Sequence, residues 1–186
     1  MNSPQQKKSR RSLLLVVSVF ALPIILAKLA LELNWLDYGV TNKGLLVENE
    51  LTLENIGLTT ADFDNNWLIL YVLPYKCDDT CEKTLEVVHN TYVALGREMP
   101  RVLPIVLTQS SLSESQQSRV SQSQWQVMAL PATARNNIDH SQVLIVDPLG
   151  NIVLSHTPPE QEELLMPFGK QILADMKKLL KYSKVG

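Results

Sequence analysis

Apolar positions are grouped in different ways along this chain. Leu13 to Ala27 is a run of fifteen residues without a charge, preceded by Lys7-Lys-Ser-Arg-Arg11. Residues 33–62 carry only short extended pieces. Leu45-Leu-Val and Leu51-Thr-Leu flank Glu48-Asn-Glu and predict a small hairpin. From Trp67 the pattern becomes that of a packed domain. Trp67-Leu-Ile-Leu-Tyr-Val-Leu73 is apolar without alternation, as a strand buried on both faces requires. Between Asp78 and Leu95, Leu85, Val88, His89 and Tyr92 recur at helical spacing, and Gly96 and Pro100 mark the end. Val102–Leu107 predicts a second strand, at an edge or bulge because of Pro104. Residues 109–124 are rich in Ser and Gln, anchored only by Leu112 and Val120, and fit a polar helix or a loop equally. Gln142–Asp147 and Ile152–Leu154, joined by Pro148-Leu-Gly-Asn151, predict a hairpin. Thr157-Pro-Pro-Glu160 supplies a helix start. Leu164, Leu165, Phe168, Ile172, Leu173, Met176, Leu179 and Leu180 then form one stripe, interrupted at Pro167 and Gly169.

The order strand, helix, strand, ambiguous segment, hairpin, helix predicts an α/β three-layer sandwich with a mixed sheet. That is the thioredoxin arrangement. The expected organisation is a basic tail over 1–11, a transmembrane anchor over 12–32, a connecting segment with a short hairpin over 33–62, and a thioredoxin-like domain over 63–186.

The anchor reading follows from length and charge. At about 1.5 Å per residue, residues 13–31 nearly cover a ~30 Å hydrocarbon core, with Lys28 snorkelling at the end. Trp35 and Tyr38 follow at interfacial depth. Ala27-Lys28-Leu29-Ala30 is a poor cleavage site, which favours an anchor over a removed signal peptide. The basic flank predicts an inner-membrane, single-pass protein with its N-terminus in the cytoplasm and its domain in the periplasm or an equivalent outer compartment.

Charge sharpens the picture. Residues 1–31 hold five basic residues and no acidic ones, so 32–186 hold 12 basic and 19 acidic residues, a net of −7. Such a domain does not suit nucleic acid as a partner.

The candidate chemistry is Cys77-Asp-Asp-Thr-Cys81, the only two cysteines, placed where the first central strand meets its helix. If Asp78 begins the helix, Cys77 caps it and Cys81 lies one turn in. Residues four apart on a helix have Cβ atoms about 5–6 Å apart, and a disulfide needs about 3.8 Å, so bridging requires local unwinding. The helix N-terminus favours thiolate, whereas Asp78, Asp79 and Glu82 oppose a second anion. The balance favours a metal binder or a reductant over a strong oxidant. A purely structural disulfide closing so small a loop would stabilise little. Zinc is disfavoured because no second Cys pair exists. Of the histidines, His89 shares the apolar stripe, His156 follows the hairpin, and His140 precedes the third strand, at the sheet edge that carries the Cys motif.

Together these residues resemble the Sco/SenC family of cytochrome c oxidase assembly proteins. The resemblance spans roughly 38–182 and rests on Cys77-Asp-Asp-Thr-Cys81, Ile138-Asp-His-Ser141, Asp147-Pro-Leu-Gly150 and the opening Asn42-Lys-Gly44-Leu-Leu. It implies a membrane-anchored thioredoxin-like domain whose Cys77, Cys81 and His140 bind a copper ion. It also implies the copper-bearing subunit of cytochrome c oxidase, or its assembly factors, as partners. The prolines that the family carries after each cysteine are replaced here by Asp78 and Glu82. The alternatives are a tethered thiol–disulfide oxidoreductase, with Cys77 attacking and Cys81 resolving, and a non-catalytic scaffold of the oxidase assembly complex.

Overall fold

The computed structural model describes residues 4–32, 42–47, 51–136, 138 and 140–183. Trp35, Tyr38, the Glu48–Glu50 turn and Asp139 lie outside the described residues. The chain divides into two units, 1–41 and 42–186.

In the first unit, helix α1 (Pro4–Glu32) runs through Pro23. Its side chains are described over 15–29, where the large apolar residues from Leu15 to Leu29 are exposed. Among the described residues, no helix is long and apolar enough to cross a membrane.

The second unit is built on a six-stranded sheet of order β1-β6-β5-β2-β3-β4. The strands are β1 (Leu45–Leu46), β2 (Trp67–Val72), β3 (Val102–Thr108), β4 (Gln126–Ala129), β5 (Gln142–Val146) and β6 (Ile152–His156). Strands β2, β3 and β4 are parallel; β5, β6 and β1 alternate antiparallel beyond β2. The helices of this unit are α2 (Asp79–Val93), α3 (Glu114–Gln122) and α4 (Leu165–Tyr182).

Strand β2 is central and wholly buried. Its alternate residues divide between two cores, as the two-residue period of a strand dictates. Ile69 and Tyr71 join Val88 of α2 and Ile172 and Met176 of α4. Leu68, Leu70 and Val72 join Leu53, Ile56, Phe63, Leu130 and Ile138 on the opposite face. That second outer layer consists of short 3-10 turns, Glu54–Ile56, Thr60–Phe63 and Ala132–Asn136, rather than α-helices. The fold is an α/β three-layer thioredoxin-like sandwich with one irregular layer.

Several local expectations are revised. Leu45 and Leu46 pair with Ser155 and Leu154 of β6, and Thr52 bridges Asn151. The two extended pieces therefore flank the same β5–β6 hairpin instead of pairing with each other. Pro104 lies inside β3, between β2 and β4. Leu107 turns its carbonyl toward β2 and Thr108 toward β4, so by alternation the nitrogen of Pro104 faces the β4 side. Pairing with β4 begins only at Ile105↔Gln126, so Pro104 has no ladder bond to lose there. Residues 126–129, not assigned in the sequence, form edge strand β4. The Ser/Gln-rich segment contains α3, started by a capping box between Ser113 and Gln116.

The last helix starts later than Thr157-Pro-Pro-Glu160 predicts: a 3-10 turn (Glu162–Leu164) leads into α4 at Leu165. Pro167 falls in the first helical turn, where its missing N–H has no intrahelical acceptor, and α4 continues unbroken. Gly169 is required by packing, since a Cβ there would lie 2.7 Å from Val87 Cγ1 on α2.

Candidate functional site at the start of helix α2

Strand β2 ends at Val72, and a short loop carries the chain into α2. Asp78, in extended conformation, is the N-cap, and its Oδ1 accepts the Cys81 backbone N–H at 3.0 Å. Cys77 thus stands one residue outside the helix and Cys81 at its third position. This is one residue away from the placement expected from sequence. The non-helical backbone at the cap brings the two Cα atoms to 5.2 Å and the cysteines are joined as a disulfide. That separation lies inside the range disulfides use, about 4.4–6.8 Å, so no unwinding of α2 is needed. Cys77 is half-buried and Cys81 is 4% exposed.

Of the acidic residues around the pair, Asp78 and Glu82 have structural partners. Glu82 accepts Gln116 Nε2 at 3.0 Å and pairs with Arg119 Nη1 at 3.3 Å. Lys83 and Glu162 form an exposed pair at 2.6 Å. Asp78 is committed to the helix cap. Much of the negative charge that opposes a thiolate is thereby neutralised or engaged.

A cleft of about 350 Å³ lies against Cys81, lined by Tyr71, Pro74, Thr84, Ser141, Pro158 and Pro159 among others. The prolines expected at a helix start instead form a wall of this cleft. Tyr71 is 1% exposed, and burial pushes its phenol up, against hydrogen bonds to Ser141 and Thr84 that act the other way. Ser141 Oγ donates to the Val72 carbonyl at 3.0 Å, tying the loop before β5 to the end of β2.

His140 is exposed and directly precedes Ser141. Among the described residues, no group of three His, Cys, Asp or Glu side chains is gathered to hold a metal. In the disulfide state each sulfur is bonded to the other, so the pair offers no thiolate. The donor set Cys77, Cys81 and His140 does not form a copper site in this state. His89 is half-buried and packs its ring 6.4 Å from Trp125 and 6.5 Å from Tyr92. His156 is buried at the end of β6, its Nε2 3.3 Å from Asp175 Oδ2. Burial holds its imidazole below the ordinary value, against the upward pull of Asp175.

Gln116 was not singled out by sequence reasoning. Its Nε2 donates to the Cys77 carbonyl at 3.1 Å. The available signal was Ser113-x-x-Gln116, a capping box hidden in a segment with few apolar anchors.

Comparison with known proteins agrees with the fold. The apo Sco1 protein from Thermus thermophilus is similar over 76% of this chain and 99% of that chain, with 14% identity and a TM-score of 0.51. A thiol:disulfide interchange protein from Bacteroides sp. is similar over 66% of this chain and 78% of that one, with 15% identity and a TM-score of 0.47. Copper-bound ScoI from Bradyrhizobium japonicum is similar over 61% and 89%, with 13% identity and a TM-score of 0.44. A search of curated proteins found no match. A family model described as "Transmembrane-like, thioredoxin-like, C-terminal domain" matches residues 67–183, well over half of the chain and all of the site described above. The chain therefore belongs to this transmembrane-like, thioredoxin-like family.

Proposed function

We propose that this protein is a membrane-tethered, Sco-type thiol–disulfide protein whose Cys77–Cys81 pair cycles between disulfide and dithiol in the assembly of cytochrome c oxidase. The observation that carries the reading is the disulfide itself. It joins a half-buried Cys77, outside the helix, to a buried Cys81 at the third position of α2, beside a cleft. This asymmetry suits Cys77 as the attacking thiol and Cys81 as the resolving one. Attack of the Cys77 thiolate on a partner disulfide forms a mixed disulfide and expels one partner thiolate. Attack by Cys81 then closes the Cys77–Cys81 bond and expels the second, so two electrons pass to the partner. The charge asymmetry supports a tether over 12–32 with the domain on the outer side of the inner membrane.

The test is thiol exchange by the full-length chain in detergent. Reduced protein is expected to reduce the disulfide of a peptide that carries the two cysteines of a dicysteine copper site. Cys81→Ser is expected to trap a mixed disulfide through Cys77. Unchanged activity in a Cys77→Ser, Cys81→Ser double variant would refute the reading.

A second reading, copper handling for the oxidase's copper-bearing subunit or its assembly factors, is favoured by one feature. His140 adjoins Ser141, which lines the same cleft as Cys81. After reduction, two thiolates and an imidazole are a donor set suited to a copper ion. A copper titration of the reduced full chain is expected to give close to one equivalent, with Cu(II) binding lost in His140→Ala. Equal Cu(II) binding by that variant would exclude His140 as a ligand.

A further inference from the structure

The segment between β3 and β4 has the least informative pattern in the domain, yet its side chains grip the approach to Cys77. Gln109 Nε2 donates to the Leu73 carbonyl at 2.9 Å, Ser110 Oγ to the Tyr75 carbonyl at 2.6 Å, and Gln116 Nε2 to the Cys77 carbonyl at 3.1 Å. The acceptors are alternate carbonyls of the loop that leaves β2 and enters α2. This loop belongs to no helix or strand, and Pro74 within it has no N–H to donate.

Gln116 is itself held. Its Oε1 accepts the Ser113 N–H at 3.1 Å, and its own N–H donates to Ser113 Oγ at 3.3 Å. Its Nε2 also reaches Glu82 Oε1 at 3.0 Å. One side chain thus caps α3, touches α2 and holds the Cys77 backbone between them.

We propose that Gln109, Ser110 and Gln116 are positioning residues: they form a cradle that keeps Cys77 beside Cys81 when the disulfide is open, and so set the thiol–disulfide equilibrium of the pair. The inference rests on the reading that the pair cycles. In the disulfide, a covalent bond holds Cys77 whatever the loop does. In the dithiol, Cys81 stays fixed in the helix behind the Asp78 cap, while Cys77 is held through its loop. Hydrogen bonds that survive reduction raise the effective concentration of one thiol at the other. Loss of one such bond lowers it roughly fivefold.

The test is equilibration of the full-length chain, in detergent, with glutathione. Two glutathione thiols supply two electrons and two protons, the Cys77–Cys81 bond opens to two thiols, and one oxidised glutathione forms. Gln116→Ala is expected to shift this equilibrium about fivefold toward the dithiol. Gln109→Ala and Ser110→Ala are expected to shift it in the same direction. Gln116→Glu keeps the acceptor that caps Ser113 but loses the donor to Cys77, and is expected to behave like Gln116→Ala. Ser121→Ala removes a bond internal to α3, to the Gln117 carbonyl, and is expected to match the parent. A cradle with a merely structural role would destabilise the oxidised and reduced forms equally. Equilibria within about twofold of the parent in Gln116→Ala, Gln116→Glu and Ser110→Ala would therefore overturn the proposal. A parent that equilibrates with glutathione but reduces no partner disulfide would refute the proposed function and leave this measurement intact.

Discussion

The Asp78 carboxylate accepts the backbone N–H of Cys81 at 3.0 Å, and this bond sets where α2 begins. It leaves Cys77 outside the helix and draws Cys81 into the first turn. The residue after the first cysteine is a cap here, a role the proline usual in the Sco family cannot fill through a side-chain acceptor. Glu82, in place of the second proline, accepts Gln116. The two residues that differ from the Sco-type motif therefore have structural uses in this chain.

Asp78→Ala is expected to cost about 1 kcal/mol, by loss of the cap. Asp78→Asn keeps an acceptor and is expected to recover most of that loss. With one less negative charge beside the pair, the Asn variant should also alkylate faster at Cys77 once reduced. Thermal denaturation and iodoacetamide kinetics check both. An Asn variant as unstable as the Ala variant would argue against capping.

A second set of contacts secures the N-terminal edge of the sheet. Asp175 on α4 is 1% exposed, and its carboxylate accepts the N–H of Lys43 at 2.9 Å and of Gly44 at 2.8 Å. Asp175→Ala strands both donors and is expected to cost about 3 kcal/mol. The loss should be accompanied by faster amide exchange at Leu45 and Leu46, which β1 pairs with β6. Retained protection there would separate the carboxylate from the docking of β1.

His156 makes stability depend on pH. Burial holds its imidazole below the ordinary value in the fold, whereas the unfolded chain takes up the proton near about 6.5. The unfolded state therefore binds more protons between the two values, and stability rises with pH there. The contribution of neutral His156 is fully present above about pH 6.5 and is lost as pH falls toward the depressed folded value. Melting curves from about pH 8 to about pH 5 should show this slope in the parent and a shallower one in His156→Gln. Equal slopes would assign the acid sensitivity elsewhere.

The helix that carries Cys81 is seated closely on α4. A Cβ at Gly169 would lie 2.7 Å from Val87 Cγ1 and 2.9 Å from Thr91 Oγ1. Gly169→Ala is expected to cost about 1–3 kcal/mol through overpacking. Denaturant titration checks this, and parental stability would mean that α2 and α4 separate freely.

Where neighbouring residues carry the information, the fold is legible in one dimension. Trp67–Leu73 reads as a doubly buried strand because every residue in it is apolar, and β2 is buried throughout. Asp147-Pro-Leu-Gly150 reads as a turn, and Asp147 Oδ1 accepts the N–H groups of Leu149 and Asn151 while Gly150 adopts a φ of +89°. The Cys motif at the strand–helix junction is likewise local, which is why the disulfide's place is legible in the sequence although its geometry is not.

Packing across the chain settles the rest. Gln116 reaches Cys77 over 39 residues, and Asp175 reaches Lys43 over 132. A lone glutamine in a polar stretch, or an aspartate in an apolar stripe, carries no periodic signal of its partner. Pro158 and Pro159 have the composition of a helix start and become a cleft wall, because the chain between β6 and α4 must pass Cys81. Hydrophobic periodicity fixes which face of an element is buried. Which polar groups meet across that burial depends on how the elements dock, and that is a property of the assembled layers.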